Sequence, residues 1–257
     1  MLVLFTILTT FTFCIIGYSC GNILFGSIIA KLRKTNLRSI GSGNIGATNS
    51  LRAMGKTIGL IVMLLDAIKA YLAVIIAWTI YLFTINKWFP KGHELYTIVY
   101  LAGICAIIGH CFPITYLFNL IRYGFKKQKT LMSIGGKGMS CTAGVIAAIN
   151  PFLAAILIII WLTVFLIFKK VSIGSICTVL FTPSFTFIRE INLQYLFGNG
   201  LYNNSLWFII NDSYTSNIYL FVGIFMLLTI SSYIVVIRHI SNIKKIIEEI
   251  KIEAKSK

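Results

Sequence analysis

Ile58–Phe83 reads IGLIVMLLDAIKAYLAVIIAWTIYLF, 26 residues in which Asp66 and Lys69 are the only charges. A helix needs about 20 mostly apolar residues to cross the ~30 Å hydrocarbon core, so this stretch is a membrane span. Leu2–Ala30, Leu95–Leu120 and Ile218–Ile237 pass the same test, and Ile173–Ile188 passes with flanking sequence. Gly138–Phe168 admits two readings. It is one long tilted helix, or a hairpin of two shorter helices broken at Asn150-Pro151, because proline disfavours helix at the residue before it.

Composition fixes the class. Of the 257 residues, 58% are hydrophobic and 12% charged, and the mean hydropathy is +0.88. Soluble domains carry about 25% charged residues, twice the supply available here. The net charge of +16 does not point to nucleic acid, because the basic residues sit in short connectors and form no stripe interleaved with stacking aromatics. Six cysteines without a C-x-x-C pair lie mostly inside apolar runs and read as packing residues. The first thirty residues lack Lys or Arg before Lys31, which argues for a retained span over a cleaved signal.

Cytoplasmic connectors concentrate Lys and Arg, and this separates the two readings of Gly138–Phe168. With a hairpin there are seven helices. Nineteen basic residues then share one side, in 31–56, 122–137, 169–170 and 238–257, against three (Lys87, Lys91, Arg189) on the other. A single long helix gives twelve against ten. The expectation is therefore an all-α polytopic protein of seven transmembrane helices, N-terminus out and C-terminus in, forming one domain over 1–257. The helix after Gly138 is too short to span comfortably. Beyond Arg238, Ile240, Ile243, Ile246, Ile247 and Ile250 recur at helical spacing among Lys and Glu, predicting an interfacial helix over 238–257.

Two inside connectors carry anion-binding patterns. The first is Gly41-Ser42-Gly43-Asn44-Ile45-Gly46-Ala47-Thr48-Asn49-Ser50-Leu51-Arg52. Its glycines allow left-handed turns whose successive amides form an anion nest, and Arg52 adds a bidentate fork. The second, Gly135-Gly136-Lys137-Gly138, runs into a helix N-terminus, a ready anion site. It is not a Walker loop, since Gly138 stands where Ser or Thr belongs, and Gly55-Lys56-Thr57 lacks the earlier glycine. A third element, Arg238-His239-Ile240-Ser241-Asn242, places His239 and Asn242 on one helix face. None of the seven acids falls in the first two connectors. Carboxylate acid–base pairs and carboxylate-held Mg²⁺ are thereby disfavoured, and no metal or cofactor is expected. Such a site suits a dianionic substrate and catalysis by positioning and electrostatics.

Together, Gly41–Arg52, Gly109-His110-Cys111-Phe112-Pro113 with Gly135–Gly138, and Arg238-His239…Asn242 resemble the bacterial acyl-phosphate:glycerol-3-phosphate acyltransferases, the PlsY family. The resemblance runs over nearly the whole chain. It implies transfer of an acyl group from acyl phosphate to the 1-hydroxyl of glycerol 3-phosphate, yielding lysophosphatidic acid and phosphate. The place would be the inner (cytoplasmic) membrane, with the site on the cytoplasmic face and membrane lipid around it. It assigns catalysis to Lys137, Arg52, His239 and Asn242. It assigns substrate binding to Ser42, Gly43, Asn44, Gly46, Thr48, Asn49, Gly135, Gly136, Gly138 and Ser172. No protein base is implied, a substrate phosphate taking the hydroxyl proton. A soluble enzyme producing acyl phosphate is a further implied partner.

One departure stands out. Twenty-one residues separate Pro113 from Gly135 where the family has a handful, so 119–134 reads as a cytoplasmic loop insertion, a basic flap on anionic lipid. Asp66 and Lys69 read equally as functional intramembrane charges and as an ion pair orienting helices. His110 is open between a structural and a site role. The rival function is a membrane transporter of an organic phosphate, whose ligand groups would lie near the midplane on broken helices of inverted repeats. Here they crowd one face and no repeat is visible.

Overall fold

The computed structural model describes residues 2–86, 98–187 and 218–255. Its helices are α1 (Leu2–Asn22), α2 (Phe25–Leu32), α3 (Ala47–Met54), α4 (Lys56–Tyr81), α5 (Tyr100–Cys111), α6 (Ile114–Tyr123), α7 (Gln128–Ser133), α8 (Met139–Ile149), α9 (Pro151–Phe168), α10 (Val171–Phe181) and α11 (Ile218–Lys255). No strand occurs among the described residues. Four helical stretches (Val3–Leu32, Lys56–Thr84, Pro151–Phe168 and Val222–Ile252) are long and apolar enough to cross a membrane. Counting bent α5–α6 as one span makes five. Lys87, Lys91 and Arg189, the outside cations of the expected topology, lie outside the described residues.

Gly138–Phe168 is two helices broken at Asn150-Pro151 and not one long helix. Asn150 leaves the helix at φ −155°, Pro151 opens α9, and the Asn150 side chain accepts from the Leu153 amide as an N-cap. Helix α8 has 11 residues, about 16 Å at 1.5 Å each, and stops short of a full crossing.

Two expected spans are interrupted, the first while still forming one stretch, Val3–Leu32, long enough to cross. The first stretch breaks at Ile23-Leu24, where the Ile23 carbonyl accepts from Lys69 Nζ at 2.5 Å instead of continuing the helix. The Leu95–Leu120 stretch bends by 56° between α5 and α6. Pro113 supplies the stop, and α1 fixes it from both sides. Tyr18 Oη donates to the Phe112 carbonyl, and Asn22 Oδ1 accepts the Ile114 amide. The 119–134 segment is not all loop: the end of α6 and all of α7 lie in it, joined through Gly124–Lys127.

Small residues set the helix packing, since lipid offers apolar helices no hydrophobic drive to associate. Gly17 and Gly21 of α1 lie on Ala102 and Ala106 of α5 so closely that a Cβ on either would come within 2.0 Å of the facing carbonyl oxygen. Gly144 of α8 meets Ala67 of α4 at the same range. Phe13, Trp78, Tyr81, Tyr100, Ile107 and Leu228 fill the centre, while Val3, Leu4, Ile7 and Phe11 of α1 and Ile158, Ile159 and Leu166 of α9 face outward. The apolar exterior and the polar groups buried within (Asp66, Lys69, His110) are the arrangement that lipid demands.

Candidate active site

One cleft of about 440 Å³ gathers the three sequence motifs, a volume in the range of small-molecule sites. Arg52, Lys137, His239, Asn242, Ser42, Asn44, Gly46, Thr48, Asn49, Gly138 and Ser172 all line it. Gly43, Gly135 and Gly136 do not.

The first connector is shaped by its own amides. Asn49 is 1% exposed. Its Nδ2 donates to the Leu37 carbonyl and its Oδ1 accepts the Ser42 amide. Asn49 thus pins the loop, with its amide committed to the protein. Asn44 Oδ1 accepts the Gly46 amide. Gly41 (φ +56°) and Gly43 (φ +66°) make the left-handed turns, and the Gly43 carbonyl accepts from Arg38. The chain then enters α3 at Gly46, presenting the first free amides of the helix, at Ala47 and Thr48, to the cleft.

The second connector is clamped before it reaches Lys137. The Gly135 and Gly136 amides donate to the carbonyls of Cys111 and His110, and their own carbonyls accept from Arg238 at 2.9 and 3.1 Å. Arg38 reaches the Ile134 carbonyl at 2.5 Å. No amide is left for an anion nest at these two glycines. They are glycines because a Cβ at 135 would fall 1.8 Å from the His110 oxygen, and one at 136 would fall 2.0 Å from His110 Nε2. Gly138 (φ +86°) then turns the chain into α8. Lys137 is free to project its ammonium. Burial, then the charges of Arg238, Arg52 and Lys245, pull its pKa down to about 8.

The third wall is α11 with the start of α10. His239 is 4% exposed, and its Nδ1 lies 2.8 Å from the Val235 carbonyl. A carbonyl can only accept, so Nδ1 carries the proton and Nε2 is left as an acceptor. Asn242 donates to Ser172 Oγ, tying α11 to the first turn of α10. Lys245, Ile246 and Glu249 continue the same face, with Lys170 Nζ on Glu249 at 2.5 Å.

Three helix N-termini converge on this space: α3 with Ala47 and Thr48, α8 with Met139 and Ser140, and α10 with Val171 and Ser172. Each offers free amides and the positive end of a helix dipole. Arg52, Lys137, Lys169, Lys170 and Lys245 add five cations. The expectation of a site without carboxylates fails, since Asp66 and Glu249 also line the cleft. Both are paired, Asp66 with Lys69 at 2.8 Å and Glu249 with Lys170, so the surplus remains positive. Asp66 and His110 line the cleft and both meet Lys69. Lys69 Nζ sits 2.9 Å from His110 Nδ1, on Asp66 and on the Ile23 carbonyl at once, joining α1, α4 and α5 beneath the cleft. Asp66, His110 and Cys141 bring potential metal ligands within 4.8 Å of one another. The lysine ammonium already stands on two of the three, where a metal cation would bind.

Lys245 and Glu249 could have been reached from the sequence by extending the helix face of His239 and Asn242 one and two turns further. The α3 and α10 N-termini could not, because nothing in the composition of those segments marks where each helix begins relative to the others.

Comparison with known proteins agrees with this architecture. The family described as "Glycerol-3-phosphate acyltransferase" matches residues 11–249. The glycerol-3-phosphate acyltransferase of Malacoplasma penetrans (strain HF-2) is 35% identical over 248 residues, covering 92% of this chain and 90% of that protein. That of Aquifex aeolicus (strain VF5) is 34% identical over 183 residues, covering 71% and 82%. The crystal structure of PlsY, an integral membrane glycerol 3-phosphate acyltransferase in its glycerol 3-phosphate form, superposes with a TM-score of 0.66 at 27% identity over 93% of this chain and 92% of that one. A profile that spans all three motif-bearing connectors and relatives aligned along most of the chain leave one assignment: the chain belongs to the glycerol-3-phosphate acyltransferase family.

Proposed function

We propose that this protein transfers an acyl group from acyl phosphate to the 1-hydroxyl of glycerol 3-phosphate, giving lysophosphatidic acid and phosphate. The observation that carries the reading is the convergence of three helix N-termini and five cations on one cleft whose two carboxylates are both paired. That environment suits two phosphates, one on each substrate. The solved PlsY forms with glycerol 3-phosphate and lysophosphatidic acid are of a family member with the same overall fold. In the proposed topology seven helices cross or enter the inner membrane of a bacterium, the N-terminus is outside, and the cleft faces the cytoplasm. The whole chain acts as one domain.

Lys137, Arg52 and the α8 amides neutralise the acyl phosphate. The α3 amides, Ser42 and Asn44 hold the glycerol phosphate. His239 Nε2 accepts the hydrogen bond of the 1-hydroxyl and aims it at the acyl carbon, with Asn242 and Ser172 supporting the polyol. The hydroxyl oxygen bonds to the carbonyl carbon, the carbon–oxygen bond to phosphate breaks, and the hydroxyl proton ends on the departing phosphate. Each donor on the developing oxyanion contributes about 3 kcal/mol. No cofactor takes part.

The test is a purified-protein assay with glycerol 3-phosphate and, in turn, acyl phosphate, acyl-CoA and acyl-carrier protein. Turnover with acyl phosphate alone is expected. Turnover with either thioester, or uptake of glycerol 3-phosphate into vesicles without any acyl donor, overturns the reading.

A further inference from the structure

Helix α6 wears its apolar stripe on the wrong side for a protein in water. Ile114, Leu117, Phe118 and Ile121 follow the i, i+3, i+4, i+7 pattern of a buried face, yet they are 54%, 37%, 60% and 88% exposed. No residue of α6 is buried. The opposite face, Tyr116, Asn119, Leu120 and Tyr123, is the partly covered one. The helix begins where α5 ends and leaves its direction by 56° at Pro113, a turn that suits a chain leaving the hydrocarbon to lie along its surface.

The polar half of the segment carries one sign of charge. Arg122, Lys126, Lys127 and Lys129 are all exposed, and no Asp or Glu occurs between Asp66 and Lys137 apart from Glu94. Arg122 and Lys129 both rest on the Tyr123 ring, 5.4 and 5.2 Å from its centroid, so the cations are grouped. Gly124 (φ +75°) makes the turn into α7. Thr130, fully buried, closes the pair by donating to the Asn119 carbonyl. The stretch of chain that follows α7 is Ile134–Lys137, clamped by Arg38 and Arg238.

We propose that α6–α7 is a docking surface for anionic phospholipid, and that its seating on the bilayer sets the position of Lys137 and hence the turnover. An acidic soluble protein would use the cations but would leave the apolar stripe without a partner, whereas an anionic bilayer surface takes both. Each Lys or Arg near such a surface contributes about a fivefold preference. The effect on turnover rests on the acyltransferase reading; the docking does not.

Two readouts separate these. The full chain is placed in nanodiscs of phosphatidylcholine, or of phosphatidylcholine with about 30% phosphatidylglycerol, the composition that supplies the negative surface potential. Amide hydrogen exchange is then measured without substrate. Protection of 114–133 is expected to rise at least about tenfold with phosphatidylglycerol and to fall back at high salt, where screening shortens the field. The fourfold variant R122Q/K126Q/K127Q/K129Q keeps its exchange and turnover in phosphatidylcholine and loses the response. Turnover of the native chain should rise severalfold in the anionic discs. Charge repulsion of two anionic substrates would lower it, so the sign is decisive. Exchange that ignores phosphatidylglycerol, responds equally in the fourfold variant, or changes only on adding an acidic soluble protein overturns the docking. Increased protection with unchanged turnover overturns the coupling to Lys137.

Discussion

Exchanging Lys137 for arginine should abolish a pH dependence that the cleft builds into phosphate binding. Burial and three neighbouring cations hold the Lys137 ammonium at about 8 instead of 10.5, so the empty cleft loses this charge as pH rises past 8. A bound phosphate dianion supplies the missing counter-charge and restores the ordinary value, so binding above pH 8 takes up a proton. The affinity for glycerol 3-phosphate then weakens nearly tenfold per pH unit, or about twentyfold between pH 7.5 and 9.5. The ligand does not confuse the result, because a phosphate monoester is already dianionic well above its second pKa of about 6. A guanidinium at this position stays charged throughout, so K137R should bind with a flat profile. For stability the sign is opposite to that of a lysine held by an acid. The folded pKa lies below the unfolded one, so the cost of the buried charge is fully present below pH 8. It is relieved as pH climbs from 8 to 10.5, and the ligand-free protein is stabilised over that window by at most about 3 kcal/mol. Calorimetric titration of glycerol 3-phosphate from pH 7.5 to 9.5 checks the affinity. A flat native profile, or the same slope in K137R, refutes the account of Lys137.

Arg52→Ala and Lys137→Ala should each lower turnover at least about 100-fold at neutral pH with the thermal unfolding midpoint little changed, read in the acyl phosphate assay. Lys69→Met strands Asp66 beneath the cleft and should destabilise by about 3–5 kcal/mol; D66N/K69M together should recover most of that loss in a denaturation series. Gly136→Ala forces a Cβ to within 2.0 Å of His110 Nε2. Loss of turnover should come with loss of protection at 134–137 in hydrogen exchange, while the α1–α5 packing stays protected.

The fold was legible where hydrophobicity alone decides. The run from Ile58 predicts α4, and the Asn150-Pro151 dipeptide predicts the break between α8 and α9. What escaped was where long apolar runs break. Leu2–Ala30 and Leu95–Leu120 contain no charge that signals an interruption. The first break is met by a distant partner, Lys69 capturing the Ile23 carbonyl; the second is stopped locally by Pro113, and Tyr18 and Asn22 only secure the chain on either side of it. Hydropathy has no term for a side chain 46 or 94 residues away.

The cleft was legible as a list of residues and less so as a division of labour. Reading Asn49, Gly135 and Gly136 as ligand donors assumes that polar groups in a glycine-rich connector face the substrate. A buried backbone must first satisfy its own donors and acceptors, and in this protein that requirement consumes them. Asn49 is spent on Leu37 and Ser42, the two glycine amides on His110 and Cys111, and Arg238 on the glycine carbonyls. With the connectors rigid, the proposed reaction would leave the contacts to phosphate to the first turns of α3, α8 and α10 and to Lys137 and Arg52, which line the cleft. Such a division would make a preorganised site, in which donors that are expensive to reorient are fixed before the substrate arrives. It follows that Asn49→Ala and Arg52→Ala, though one turn apart on α3, should fail differently. The first should lower affinity for glycerol 3-phosphate by loosening 37–44, and lysine cannot rescue it. The second should lower turnover, with Arg52→Lys restoring part of it because a cation returns without its fork.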